Sequence, residues 1–130
     1  MYASRTRFCE LFLNDDYRGV YMLAEKIKRD KNRVNIATLN PDELSGDGLT
    51  GGYILRIDRP DEYWISPYKS PVGNKNIRIS YYYPKWEDMP DKQRQYIKNY
   101  VTQFETALYD PSFQDPVDGY LPYVHLGSFV

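Results

Sequence analysis

A chain of 130 residues is enough for one domain with a single core and too short for two comfortable ones. Its 17 basic and 18 acidic residues are interspersed and leave a formal charge of -1, which lacks the footprint of a nucleic-acid binder. Cys9 is the only cysteine and His125 the only histidine, which excludes an internal disulfide, a thiolate-based metal site and any two-histidine metal motif.

The first predicted element is a β-hairpin. Phe8 to Leu13 and Tyr17 to Ile27 read as strands around a turn at Asn14-Asp15-Asp16, residue types that accept left-handed backbone. With Asn14 paired to Tyr17, Leu11 faces Val20 and Cys9 faces Met22. Cys9, Leu11, Leu13, Val20, Met22 and Ala24 then share one apolar face, and Phe8, Glu10, Phe12, Tyr21, Leu23 and Glu25 make the other. Both faces are largely apolar, which predicts a hairpin covered on each side, with Cys9 a buried small hydrophobe and not a nucleophile.

Arg29 to Arg33 reads as a polar bend and Val34-Asn35-Ile36 as a short strand. Asn40 to Gly52 is rich in Pro, Asp, Ser and Gly and reads as a loop. Gly52 to Asp58 is a strand by its β-branched and aromatic content, Tyr63-Trp64-Ile65 extends the sheet, and a loop follows to Lys75. Asn76 to Tyr83 is a further strand, ended by Pro84. A helix comes next, with Asp88 as cap, Pro90 in its first turn, and a stripe of Ile97, Tyr100, Val101, Phe104 and Leu108. Asp110-Pro111 stops it. The tail is irregular, and Ser128-Phe129-Val130 reads as the first turn of another helix.

These elements predict an α+β fold, an antiparallel sheet of about five strands with one long amphipathic helix packed on it. The 14 tyrosines suit half-buried sheet surfaces, where the ring packs and the hydroxyl reaches water. The apolar run Gly19 to Ala24 is far too short to cross a bilayer, and Met1 to Arg5 has no apolar segment of a signal peptide behind it.

The charged cluster that follows the hairpin, Glu25, Lys26, Lys28, Arg29, Lys31 and Arg33, is the best chemical candidate. A lysine on a sheet strand can hold nucleotide phosphates, with a nearby acid to orient it. The plainer reading is a solvated, charged end of a hairpin. Strand alternation points Glu25 and Lys26 to opposite faces unless the strand is bulged there, so pairing of Glu10 or Glu25 with a base from another element is the easier geometry. The glycines at 46, 48, 51 and 52 match no phosphate-cradling pattern and precede a strand, so they read as loop flexibility. Asp58 to Glu62 reads as a turn. Trp64, Trp86 and the tyrosines are read first as sheet packing and second as a sugar-binding face. Ser128 and His125 make no triad.

The string ELFLNDDYRGVYMLAEKIKRDKNRVNI, with GGYILRIDR and DKQRQYIKNYVTQFETALYD, closely resembles the CotH (spore coat protein H) family from about Arg7 to Val130. The signature LxLN…YxGVYxLxEK is carried by Leu11, Leu13, Asn14, Tyr17, Gly19, Val20, Tyr21, Leu23, Glu25 and Lys26. The resemblance implies a kinase-like N-terminal lobe and a secreted or surface protein. It also implies a parent that uses ATP and Mg to phosphorylate protein side chains. It makes Lys26 a contact to nucleotide phosphates, Glu25 its acidic neighbour, and Lys28 and Arg33 weaker candidates. The family's catalytic and metal-binding aspartates sit in Asn-x-Asp-like and Trp-Asp-x-Asp-like segments after the next helix, and neither segment occurs here. The expectation is therefore a single partial domain over residues 1–130, truncated at both ends, completed in cis by the rest of a CotH domain, and inactive alone. No catalytic residue and no metal ligand is assigned within it. The alternative is a non-catalytic surface or adhesive module that binds polysaccharide or protein.

Overall fold

The computed structural model describes residues 4–58 and 62–128. Two readings touch residues beyond these: the turn through Arg59, Pro60 and Asp61, and the helical start at Phe129 and Val130. Contacts divide the chain into two compact units, Met1–Asn35 and Ile36–Val130. The α+β expectation holds, but the strands, five among the described residues, are divided between a two-stranded and a three-stranded antiparallel sheet and not joined in one.

In the first unit, β1 (Thr6–Leu13) and β2 (Asp16–Ala24) form the predicted hairpin with a different register. Asn14 and Asp15 both take positive φ, 51° and 62°, so the turn closes between Leu13 and Asp16 and not between Asn14 and Tyr17. Phe12 pairs with Tyr17 and Leu11 with Gly19, which leaves Arg18 as an extra residue on β2. Gly19 carries that irregularity at φ 103°, a conformation that disfavours any side chain. Beyond it Cys9 faces Tyr21, Glu10 faces Val20 and Phe8 faces Met22. The predicted apolar face is thus split, because a one-residue slip moves side chains to the opposite face. The predicted burial of both faces is not seen among the described residues. Phe8 is 76% exposed and Leu23 67%, and Cys9 is exposed, not buried. β2 stops at Ala24, three residues before the predicted end at Ile27. Val34 makes only an isolated bridge to Arg29 instead of a short strand.

The second unit is built on the sheet β3-β5-β4, with β3 (Ile54–Arg56), β4 (Tyr63–Lys69) and β5 (Asn76–Tyr83) all antiparallel. β4 runs four residues past the predicted Ile65, burying Trp64 and Ser66 on one face. It tolerates Pro67 because it is an edge strand. The predicted loop from Asn40 contains a short helix, α1 (Gly46–Thr50). Before it, the carbonyl of Asn40 accepts from the amide of Glu43 at 3.1 Å.

α2 (Asp91–Tyr109) ends at Asp110 as predicted, since a residue before proline is held extended. It starts later than predicted for the same reason. Met89 precedes Pro90 and is extended, so Asp88 belongs to a separate 3-10 turn, Trp86–Asp88, and Pro90 itself flanks the helix. The buried positions of α2 are Gln93, Ile97, Glu105 and Ala107, whereas Tyr100 and Leu108 of the predicted stripe are exposed.

Polar groups join helix to sheet. Ser66 Oγ donates to Glu105 Oε1 at 2.6 Å, and Tyr68 stacks on Tyr109 with centroids 4.3 Å apart. The fully buried Gln93 amide donates to the carbonyls of Asn40 at 2.6 Å and Glu43 at 3.0 Å, fixing that turn on the helix. Leu39, Trp64, Ile79, Met89, Ile97 and Ala107 complete the core.

Candidate functional site

The site begins with the pairing that closes the open end of the hairpin. Continuing the β1–β2 register past Thr6 and Ala24 sets Arg5 opposite Glu25, and the Glu25 amide donates to the Arg5 carbonyl at 3.0 Å. The side chains then meet on one side of the ladder. Arg5 donates to the Glu25 carboxylate through Nε at 3.1 Å and a terminal guanidinium nitrogen at 2.8 Å, with its backbone amide at 3.3 Å. This is a bidentate, charge-assisted pair, and the Glu25 side chain is only 24% exposed. The acid expected to act beside Lys26 is thus engaged by a base from before β1, the kind of partner that strand alternation made the easier one.

The bend that follows returns Arg33 to this end. The Asp30 amide donates to the Val34 carbonyl at 3.1 Å, the Val34 amide to the Lys28 carbonyl at 3.3 Å, and Asp30 Oδ1 caps the turn by accepting from the Asn32 amide at 2.9 Å. A cavity of about 610 Å³ results, and its lining includes four bases, Arg5, Arg7, Lys26 and Arg33, but a single acid, Glu25. Among the described residues the side chains of Arg7, Lys26 and Arg33 have no hydrogen-bond or ion-pair partner. Like charges held around a recess attract an anion with several charges.

Of the predicted residues, Glu25, Lys26 and Arg33 are brought together here, and Lys28 is not among those lining the cavity. Lys28 contributes its carbonyl to the bend instead. Sequence reasoning missed Arg5 and Arg7. Arg5 reaches Glu25 only through the observed register, since the predicted one sets Thr6 opposite it.

The arrangement can hold and neutralise an anion. Its one carboxylate already accepts three hydrogen bonds from Arg5. No group of three or more His, Cys, Asp or Glu side chains able to hold a metal ion occurs among the described residues. None of the described helices is long and apolar enough to cross a membrane.

The family model described as CotH kinase protein matches residues 1–130. Neither a curated protein nor a solved structure matches the chain. The match spans the whole sequence, including the LxLN…YxGVYxLxEK stretch that builds the hairpin and delivers Glu25 and Lys26 to the cavity. The chain belongs to the CotH kinase protein family.

Proposed function

We propose that the cavity at the open end of the hairpin holds the phosphates of ATP, and that the protein carrying this sequence transfers phosphate to protein side chains at the cell surface or outside the cell. The single observation that carries this reading is the imbalance of charge in the cavity, four bases around one acid that is already paired. Lys26 and Arg33 contact the phosphates, Arg7 adds charge, and Arg5 with Glu25 fixes the end of the ladder from which Lys26 departs. Family membership supports the kinase direction and a surface location. Phosphoryl transfer needs positioning and charge neutralisation beyond what this cavity supplies, and no metal-ligating cluster accompanies it among the described residues. This chain alone is therefore expected to bind ATP without transferring its phosphate.

Equilibrium binding tests the reading. ATP binds and adenosine does not, because the contacts are to phosphate. Exposed charge-assisted contacts contribute about 1 kcal/mol each, so Lys26→Ala or Arg33→Ala weakens ATP roughly fivefold. Equal affinity for ATP and adenosine, or ATP binding that survives the Lys26→Ala/Arg33→Ala double substitution, refutes it.

A further inference from the structure

A second recess lies within the other unit, between the start of α2 and the sheet, with a volume of about 730 Å³. Its size is that of a small-ligand site. One wall is aromatic. Trp64 and Tyr81 pack at 5.0 Å and Tyr81 and Trp86 at 5.5 Å, and Tyr63 and Trp86 keep 39% and 36% of their surface exposed. Arg94 lies 4.3 Å over the Trp86 ring and Arg78 lies 5.0 Å over that of Tyr63, which holds both rings in place.

The facing wall is the polar side of α2. Gln95 Nε2 donates to Asn99 Oδ1 at 2.6 Å, which leaves the Gln95 carbonyl oxygen and the Asn99 amide nitrogen as an acceptor and a donor side by side. Lys92 and Lys98 flank this pair and have no acidic partner among the described residues, while Asp91 is taken by Arg94.

We infer that this recess binds an acidic saccharide, a uronate-bearing glycan, independently of the nucleotide reading. An exposed aromatic ring accepts the flat C–H face of a pyranose, since it buries apolar surface without demanding hydrogen bonds. An adjacent donor and acceptor satisfy neighbouring hydroxyls. Two unpaired ammonium groups select a carboxylate on the sugar. An acidic peptide would use the lysines and leave the aromatic wall without a role.

The test is calorimetric titration of the full chain with an oligogalacturonate, a neutral galactose oligomer of equal length, and polyglutamate. The uronate is expected to bind saturably, with the neutral oligomer and polyglutamate each about tenfold weaker or worse. Lys92→Gln/Lys98→Gln, on exposed positions that the fold does not need, lowers uronate affinity about tenfold and leaves the neutral oligomer unchanged. Tyr63→Leu and Trp86→Ala lower both, the first serving where loss of Trp86 disturbs Arg94. Lys26→Ala leaves uronate binding intact, which separates this site from the hairpin cavity. No uronate binding, equal binding of polyglutamate, or uronate affinity unmoved by the lysine and tyrosine substitutions overturns the inference.

Discussion

Gln93→Glu is the most informative single substitution in the larger unit, because it changes one atom and no volume. Gln93 is 0% exposed and its amide nitrogen donates to two carbonyls, those of Asn40 and Glu43. A glutamate there must either stay ionised with an oxygen facing those carbonyls or take up a proton and restore one hydrogen bond. Protonation is the cheaper course. At about pH 7 it costs roughly 3.7 kcal/mol, the distance from an ordinary glutamate pKa of about 4.3 at about 1.36 kcal/mol per unit. The second hydrogen bond, lost in either case, adds about 1 kcal/mol. The expected loss of stability is therefore about 4–5 kcal/mol near neutrality and only about 1–2 kcal/mol near pH 4. The sign follows from linkage: the folded state retains a proton that the unfolded state releases, so stability falls as pH rises. Urea unfolding of the full chain at both pH values, followed by circular dichroism, measures this. Gln103→Glu, on an exposed position of the same helix, is the control, expected within about 0.5 kcal/mol of the parent. A pH-independent loss no larger than the control's would show that Gln93 does not hold the Asn40–Glu43 turn on α2.

Other perturbations test the same packing. Ser66→Ala removes the hydroxyl that donates to Glu105 Oε1, and because Glu105 Oε2 already lacks a partner among the described residues, the buried carboxyl loses its donor; urea unfolding should show a loss of about 3 kcal/mol, and a change below about 0.5 kcal/mol would contradict the role given to this pair. Gly52 has φ 85° and a Cβ there would lie 2.7 Å from the Ala37 carbonyl oxygen, so Gly52→Ala should lower the thermal midpoint, at a cost of about 1–3 kcal/mol. Burial, with repulsion from Tyr96 and Tyr81, pushes the Tyr53 phenol up from 10.0 to about 12, while its hydroxyl donates to the Leu49 carbonyl at 3.0 Å. The folded state keeps this proton longer than the unfolded one, so stability should fall as pH rises between these two values, and Tyr53→Phe should reduce that slope in alkaline unfolding experiments.

The sequence carried the elements whose signals are local. Pro111 fixes the end of α2 by restricting Asp110, and the alternation from Asn76 to Tyr83 marks β5. The hairpin was legible too, but not its register. That depended on which two turn residues take left-handed backbone, Asn14-Asp15 and not Asp15-Asp16, and on one extra residue at Arg18, neither of which hydropathy reports. Cys9 was placed in a core by a separate inference, that two apolar faces are both covered, and it is exposed. Buried Gln93 and Glu105 escaped the apolar stripe because their burial depends on partners distant in sequence, Asn40, Glu43 and Ser66. In the cavity, Lys26, Glu25 and Arg33 were readable as charges on a motif. Arg5 and Arg7 were not, because their place there follows from strand pairing and not from any pattern of their own.

The open end of the hairpin is proposed to be a phosphate site. Amide chemical-shift mapping of the full chain during titration with ATP tests it most directly. Saturable shifts are expected at Arg5 to Arg7, at Leu23 to Lys26 and at Arg33, reproduced by inorganic triphosphate and lost with Lys26→Ala/Arg33→Ala. Shifts that fall instead on α2 and the aromatic recess, or no shifts with triphosphate, would contradict it.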